Sequence, residues 1–328
     1  MKLVRYLAAS LLVAVLLIAL AFAYGAFWDR SQPIATTDVI IRNGASFDEI
    51  LATLRRDRVI AHALPLHVLA RLRGEETKVR AGEYRFAPHE SAAEVLHALV
   101  TEGAEVARWV TIPEGFTDAQ IAERLQASGV GNARELAHAF AVDSIVVGGT
   151  RTKSLEGFLF PDTYLIPLDA SPREIERQME RAFMKQLPRD AARRARAMHL
   201  TIPQIVTVAS LVEREAKVEA DRPMIAGVIY HRLRLGMPLQ IDATIEYALP
   251  AYKSELSESD LAIKSPYNTY LHAGLPPTPI ANPGAASLEA AFHPTATKAL
   301  YYVYCGGGRH VFADTLAQHR ANVARCLK

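Results

Sequence analysis

The chain has 328 residues with 37 Lys+Arg against 35 Asp+Glu, and a formal charge of +2 excludes a nucleic-acid binder that works by bulk electrostatics. Hydrophobic residues make up 50 % and charged residues 22 %, too apolar for a disordered chain and enough to bury at least one full core. Two cysteines, Cys305 and Cys326, exclude a disulfide scaffold and a zinc ribbon. They are read as unpaired small residues, with a bridge from the last strand to a C-terminal helix as the alternative.

Residues Tyr6 to Trp28 form an uncharged apolar run, long enough to cross a bilayer core as a helix. Lys2 and Arg5 precede it, while Asp29 and Arg30 nearly cancel after it. The positive-inside bias therefore keeps the N-terminus cytoplasmic and sends the rest outside. Ala21-Phe22-Ala23 resembles a signal-peptide cleavage site, but Tyr24, Phe27 and Trp28 stand where interfacial anchors sit, which favours a retained anchor.

After a short linker, 31–37, a pattern repeats. Val39, Ile41, Gly44, Ser46, Glu49, Ile50 and Leu54 align at one constant offset with Val110, Ile112, Gly115, Thr117, Gln120, Ile121 and Leu125. Each copy predicts a strand, a glycine turn and a helix opened by a capping box. Ser91-x-x-Glu94 opens another helix after the strand-like Gly82–Phe86. Residues 38–103 thus read as strand, two helices (47–56 and 64–73), strand and helix, which resembles a LysM-type peptidoglycan-binding module. A plain spacer is the alternative. Gly131, Gly148 and Gly149, with the irregular polarity of 128–153, place a domain boundary there. Ser171-Pro172 then starts a basic amphipathic helix to about Leu187, whose charges read as a solvated face.

A capping box with an early proline, Thr201-Ile202-Pro203-Gln204, begins a helix that continues through Glu215. At about 100° per residue, Ile205, Val208, Ala209, Val212 and Ala216 centre an apolar stripe, with Thr207, Ser210 and Arg214 opposite. Glu213 falls at one edge with Lys217 as an ion-pair partner. Glu215 falls inside the apolar arc, with Glu219 one turn on as a like charge. Such a carboxyl is expected to have a raised pKa and to stay protonated near neutral pH, as a general acid requires.

Asp221-Arg222-Pro223 caps a further helix, Met224 to Leu235, stopped by Gly236. Asp242 follows an extended stretch, and capping the helix at 243–249 is favoured over facing a cleft. Tyr267-Asn268-Thr269-Tyr270 suits a sugar, since aromatic faces stack on pyranose rings and amides hydrogen-bond hydroxyls; Asn282-Pro283-Gly284 reads as a turn. Gly306-Gly307-Gly308 reads as a hairpin. The eleven histidines show no ligand spacing, and no His-Glu-x-x-His, Gly-x-Ser-x-Gly or phosphate loop is present, so no metal site and no cofactor are expected.

The second half resembles the endolytic murein transglycosylase (YceG-like) family. The likeness rests on Glu156-Gly157-x-x-x-Pro161-Asp162-Thr163-Tyr164, on Ala209–Glu215, and on Val228–Leu233 with Gly236-Met237-x-Leu239-Gln240-x-Asp242. Tyr267–Tyr270 with Gly274-Leu275-Pro276-Pro277, and Pro283-Gly284-x-x-Ser287-Leu288, extend it. The resemblance implies that Glu215 is the catalytic acid/base. It would protonate the glycosidic oxygen between N-acetylmuramic acid and N-acetylglucosamine, then take the proton of the muramoyl C6 hydroxyl, which closes on C1 as a 1,6-anhydro end. Glu213, Gln240, Asp242, Tyr267, Asn268, Thr269 and Tyr270 would bind substrate.

The expected fold class is α+β: a cytoplasmic N-terminus (1–5), a transmembrane anchor (6–28), the LysM-like module (38–103), a connecting α+β unit (104–150) and a mixed α+β catalytic domain (151–328). The expected protein sits in the inner membrane with its catalytic part periplasmic. It would cut nascent glycan strands internally and limit their length, with peptidoglycan strands and cell-wall synthases (penicillin-binding proteins) as partners and no nucleic acid. The alternatives are a muramidase-type hydrolase with Asp242 as second carboxylate and a non-catalytic peptidoglycan-binding scaffold.

Overall fold

The computed structural model describes residues 2–326, apart from 31, 43, 102–106, 252, 254 and 308. The chain divides into two compact units, Met1–Ala107 with Pro167–Asp169, and Arg108–Ile166 with Ala170–Lys328. The predicted junction at 103/104 lies outside the described residues.

The first unit begins with α1 (Lys2–Ala23), which runs into a π-helical turn, Tyr24–Trp28. Ser10–Trp28 is long and apolar enough to cross a membrane, and only 6 % of that stretch is buried. Strands β1 (Thr37–Ile41) and β2 (Gly82–Phe86) pair antiparallel, with Val39 opposite Tyr84. Alternation puts Val39, Ile41, Tyr84 and Phe86 inward and Ile40 and Arg85 outward. Between the strands lie α2 (Phe47–Arg56) and α3 (Ala63–Arg73), and α4 (Ala92–Thr101) follows. The predicted order of strand, two helices, strand and helix is present. At the start of α2 the Ser46 hydroxyl accepts from Glu49 N at 3.3 Å and Ser46 N donates to the Glu49 carboxylate at 2.7 Å. Leu54, Leu66, Val95, Leu96 and Leu99, wholly buried, fill the core beneath the sheet.

The second unit opens with the other copy of the repeat: β3 (Ala107–Thr111), the left-handed Gly115 (φ 78°), the Thr117–Gln120 capping box and α5 (Asp118–Ala127). The division between units falls at Ala107/Arg108 rather than in 128–153. The reason is pairing. The second unit continues with α6 (Ala133–Val142), β4 (Val146–Val147), β5 (Thr150–Arg151) and β6 (Thr163–Pro167), and β3 hydrogen-bonds to β6. The glycines read as a boundary are turn glycines within a folded segment. Gly148 (φ 58°) sits so close to Ile202 that an added Cβ would lie 2.6 Å from its side chain.

Helices α7 (Pro172–Gln186), α8 (Ala191–Ala197), α9 (Ile202–Glu215), α10 (Arg222–Arg234), α11 (Asp242–Ala248), α12 (Glu258–Leu261) and α13 (Ala285–Phe292) follow. The charged face of α7 is not wholly solvated: Glu176 is buried and takes a 2.8 Å bond from Arg173. The chain closes with an antiparallel hairpin of β7 (Tyr301–Tyr304) and β8 (His310–Ala313), then α14 (Leu316–Cys326). Gly306 and Gly307 turn the predicted hairpin; Gly308 lies outside the described residues. The reading of Cys305 and Cys326 as unpaired is overturned. They form a disulfide with Cα atoms 4.4 Å apart, inside the range a bridge requires, and it ties the end of β7 to α14.

Candidate active site

The second unit is organised around α9. Eight consecutive residues, Ile205 to Val212, are buried, so the expected apolar stripe with a polar opposite face is replaced by a helix enclosed all round. Its polar residues are satisfied locally. Thr207 donates to Pro203 O (3.0 Å), and the Ser210 hydroxyl donates to Thr207 O (2.8 Å) while accepting from Ile280 N (3.1 Å). Neighbours α8, α10, α11 and α13 supply the surrounding apolar surface.

Glu215 is the last residue of α9. A carboxylate there faces the negative end of the helix dipole, which disfavours its ionised form. Protein encloses the side chain while part of the residue stays accessible. Desolvation is the main force on its proton and pushes the pKa up to about 7; the Asp242 and Glu246 charges add to the rise. A hydrogen bond from the Tyr302 hydroxyl to Oε2 at 2.9 Å and the Lys217 charge oppose it. Glu219 is not among the groups acting on Glu215, because α9 ends at Glu215 and the next turn is a separate 3-10 segment, Glu219–Asp221.

The two glutamates of the Glu-Arg-Glu sequence part company. Glu213, with a side chain only 7 % exposed, takes Arg222 on one oxygen (3.2 Å) and Gly284 N on the other (2.9 Å). Its expected partner Lys217 acts on Glu215 instead. Arg214 between them turns to Glu246 at 2.8 Å.

Asp242 is the first residue of α11, with Ile241 in the cap position, so the favoured capping role is not observed. Its exposed carboxylate accepts a short hydrogen bond from the Tyr270 hydroxyl. Gln240, held left-handed at φ 53°, donates its N–H to Thr269 O (3.0 Å) and leaves its side chain exposed. Ile241 N donates to the Thr269 hydroxyl (3.0 Å).

Tyr302 is presented by β7, and several clamps hold that hairpin. Arg232 of α10 donates to Leu300 O and to Leu239 O, both at 2.6 Å, and lies over the Tyr301 ring at 5.2 Å. On β8, His310 N donates to the Asp221 carboxylate at 2.8 Å. Asp221 makes no cap bond to α10, which starts at Arg222 rather than Met224.

A second group of enclosed acids lies elsewhere in this unit. Glu156 and Asp118 are both buried, and burial is the first cause that raises the pKa of each. Asn282, wholly buried, donates to both carboxyls and to Phe116 O, while its oxygen accepts from Leu159 N at 2.8 Å. Asp118 N and the Tyr247 hydroxyl also donate to Glu156. The reading of Asn282 as a simple turn residue is therefore replaced by a buried hub joining three segments.

Over residues 39–325 the sequence matches the model of the YceG-like family. The chain belongs to the YceG-like family. It is 31 % identical to the endolytic murein transglycosylase of Bacillus subtilis strain 168, over 93 % of this chain and 89 % of that protein. The endolytic murein transglycosylase of Streptococcus pneumoniae D39 is 30 % identical over 92 % of this chain, which spans 61 % of that relative's length. The crystal structure of a YceG-like protein from Listeria monocytogenes superposes with a TM-score of 0.59 at 29 % identity, covering 88 % of this chain and 99 % of that one.

Of the residues expected to form the site of this YceG-like protein, Glu215, Asp242 and Tyr270 come together electrostatically and by hydrogen bonding. Asn268 and Thr269 are buried and occupied. Asn268 donates to Leu261 O and Ile263 O and accepts from Tyr270 N, and the Thr269 hydroxyl is shared between Ile241 and Thr244. They shape the loop rather than presenting free polar groups. Tyr267 bonds Thr278 at 2.8 Å and packs on Tyr247. Sequence reasoning missed Tyr302 and Arg232. Tyr302 lies 87 residues from Glu215, and no local spacing announces that contact. Among the described residues, no three His, Cys, Asp or Glu side chains are grouped to hold a metal ion.

Proposed function

We propose that the protein is an endolytic lytic transglycosylase of peptidoglycan, with Glu215 as its acid and then its base. The observation that carries this is an enclosed carboxyl whose pKa of about 7 leaves about half of it protonated at neutrality, where an ordinary glutamate is ionised, with Oε2 fixed by Tyr302. Because Oε2 accepts from Tyr302, Oε1 is the oxygen left to carry the acidic proton. That proton passes to the glycosidic oxygen between N-acetylmuramic acid and N-acetylglucosamine, the C1–O bond breaks, and positive charge develops at muramoyl C1. The resulting carboxylate accepts the C6 hydroxyl proton as O6 bonds to C1, giving a 1,6-anhydro end. No water is consumed, so one carboxyl is sufficient. Tyr302 holds the carboxylate between the two transfers, and Asp242, tied to Tyr270, favours proton return by its like charge.

The names of the B. subtilis and S. pneumoniae relatives support this reading. The apolar helix at Ser10–Trp28 and the basic residues before it support a single-pass anchor in the inner membrane, with the cytoplasmic end first and the site periplasmic. There the enzyme would meet strands as penicillin-binding synthases extend them and would limit their length. The first unit, with its two-stranded sheet and three flanking helices, would serve as the LysM-like glycan-holding module.

Product mass tests the chemistry. Digestion of purified murein should release muropeptides with 1,6-anhydro ends, one water lighter than hydrolysis products. Glu215→Gln should abolish release, at least a 10³-fold loss, while the variant still sediments with sacculi. A reducing end one water heavier would establish the hydrolase, and release unaffected by Glu215→Gln would remove the assigned acid.

A further inference from the structure

A cavity of about 430 Å³ in the second unit lies apart from the acid just described. Its walls come from the first turns of α9 (Pro203, Thr207) and from the segment Leu275-Pro276-Pro277-Thr278-Pro279. Glu156 and Phe158 line it from a third segment, and the exposed cations Arg151 and Lys153 line it from a fourth. The walls are preformed. Gly157 is left-handed at φ 88°, and a Cβ there would lie 2.5 Å from Pro279 and 3.3 Å from Val206, so only glycine allows the three segments to close.

The cavity and the acid share one scaffold. Gln204, at the cavity, and Glu215 are eleven residues apart on α9, which returns them to nearly the same side of the helix about 16 Å apart. Helix α11 joins the two places: its first residue, Asp242, acts on Glu215, and five residues later Tyr247 bonds Glu156 in the cavity lining. A ligand whose glycan lies at Glu215 therefore has a short branch's reach to the cavity.

The lining selects the branch. A sugar needs open aromatic faces, and Phe158, the one aromatic among the described lining residues, is 1 % exposed. Prolyl and leucyl walls suit small methyl side chains, and two cations suit a carboxylate. Burial raises the pKa of Glu156 above the usual carboxyl range, which disfavours its charged form and so weakens its repulsion of an incoming anion. Murein carries such a branch on each muramoyl unit: a stem peptide rich in alanine that ends in a free carboxylate. We propose that this cavity is a binding site for the carboxylate end of a murein stem peptide, with Arg151 and Lys153 receiving the carboxylate. This rests on murein being the substrate.

Calorimetric titration of the full-length protein in detergent with the free stem peptide L-Ala-D-isoGlu-meso-diaminopimelate-D-Ala-D-Ala tests the site directly. The peptide is expected to bind, its C-terminal amide to bind about tenfold more weakly, and the Arg151→Glu/Lys153→Glu protein to lose at least as much affinity. Equal binding of acid and amide, affinity untouched by the charge reversal, or no binding at all would overturn the site. The amide comparison uses the unaltered protein, so it stands even if the double variant folds poorly. Cleavage of murein measured on the same preparations separates the two readings. Cleavage without peptide binding removes this site and leaves the transglycosylase, while peptide binding without cleavage removes the transglycosylase and leaves the site.

Discussion

Glu156 and Glu215 are both enclosed acids in one folded unit, and burial raises the pKa of each. Their surroundings differ in what is left over. Around Glu156, Asn282, Tyr247 and the Asp118 backbone supply donors to both oxygens, and the residue is only 5 % exposed. Around Glu215, Tyr302 donates to Oε2 and part of the residue remains open. A raised pKa therefore does not by itself distinguish an acid that holds a fold together from one that can hand over a proton. The free oxygen does.

The largest expected effect lies on the closed side of that contrast. Asn282→Ala should cost about 4 kcal/mol of stability, because it leaves two buried carboxyls and Leu159 N without their shared partner; chemical denaturation measures it. A loss below about 1 kcal/mol would mean that the Glu156 cluster is as loosely held as the Glu215 site.

The open side has its own stability signature. Between its ordinary value of 4.5 and about 7, Glu215 is protonated in the folded protein and ionised in the unfolded one, so its contribution to stability falls as pH rises through that window. Glu215→Gln should therefore gain stability relative to the wild type across it. The gain is at most about 3 kcal/mol, less whatever solvent screens at a residue that stays partly accessible. Melting curves at pH 4.5 and 7.5 give the difference, and a variant that tracks the wild type at both would place the acid in an ordinary environment.

Tyr302→Phe should lower kcat about tenfold, the worth of one hydrogen bond to an ionised group at about 1.5 kcal/mol. It should also move the alkaline limb of the kcat profile to higher pH, because the lost hydroxyl stabilised the carboxylate. A merely structural loss lowers kcat and leaves the limb in place. Asp242→Asn should give the smallest change, a shift of the same limb to lower pH as a like charge disappears. Opposite shifts from these two substitutions are the sharpest sign that Glu215 carries the titration.

What the sequence disclosed followed from local physics. Both capping boxes of the repeat, its glycine turns and the strand–helix order of the first unit depend on residues within a few positions of one another, and they appear as expected. The raised pKa of Glu215 was legible because helical spacing places it among aliphatic neighbours. The surroundings of α9 were not: a wheel reads one face at a time, while Thr207 and Ser210 are buried through bonds to Pro203, Thr207 and Ile280. Long-range partners were equally hidden. Arg222 on Glu213, Tyr302 on Glu215 and Asn282 on Glu156 join segments that no periodicity relates.

The enclosure of α9 has an evolutionary corollary. Eight successive core positions leave no side of that rod on which a residue can be exchanged without disturbing its neighbours. Divergence in ligand preference must then be written in the segments that converge on it, such as the proline-rich run at 275–279 and the tyrosine-bearing hairpin. Glu215, the proposed proton donor, meanwhile stays anchored in a part of the molecule that selection has little room to redraw.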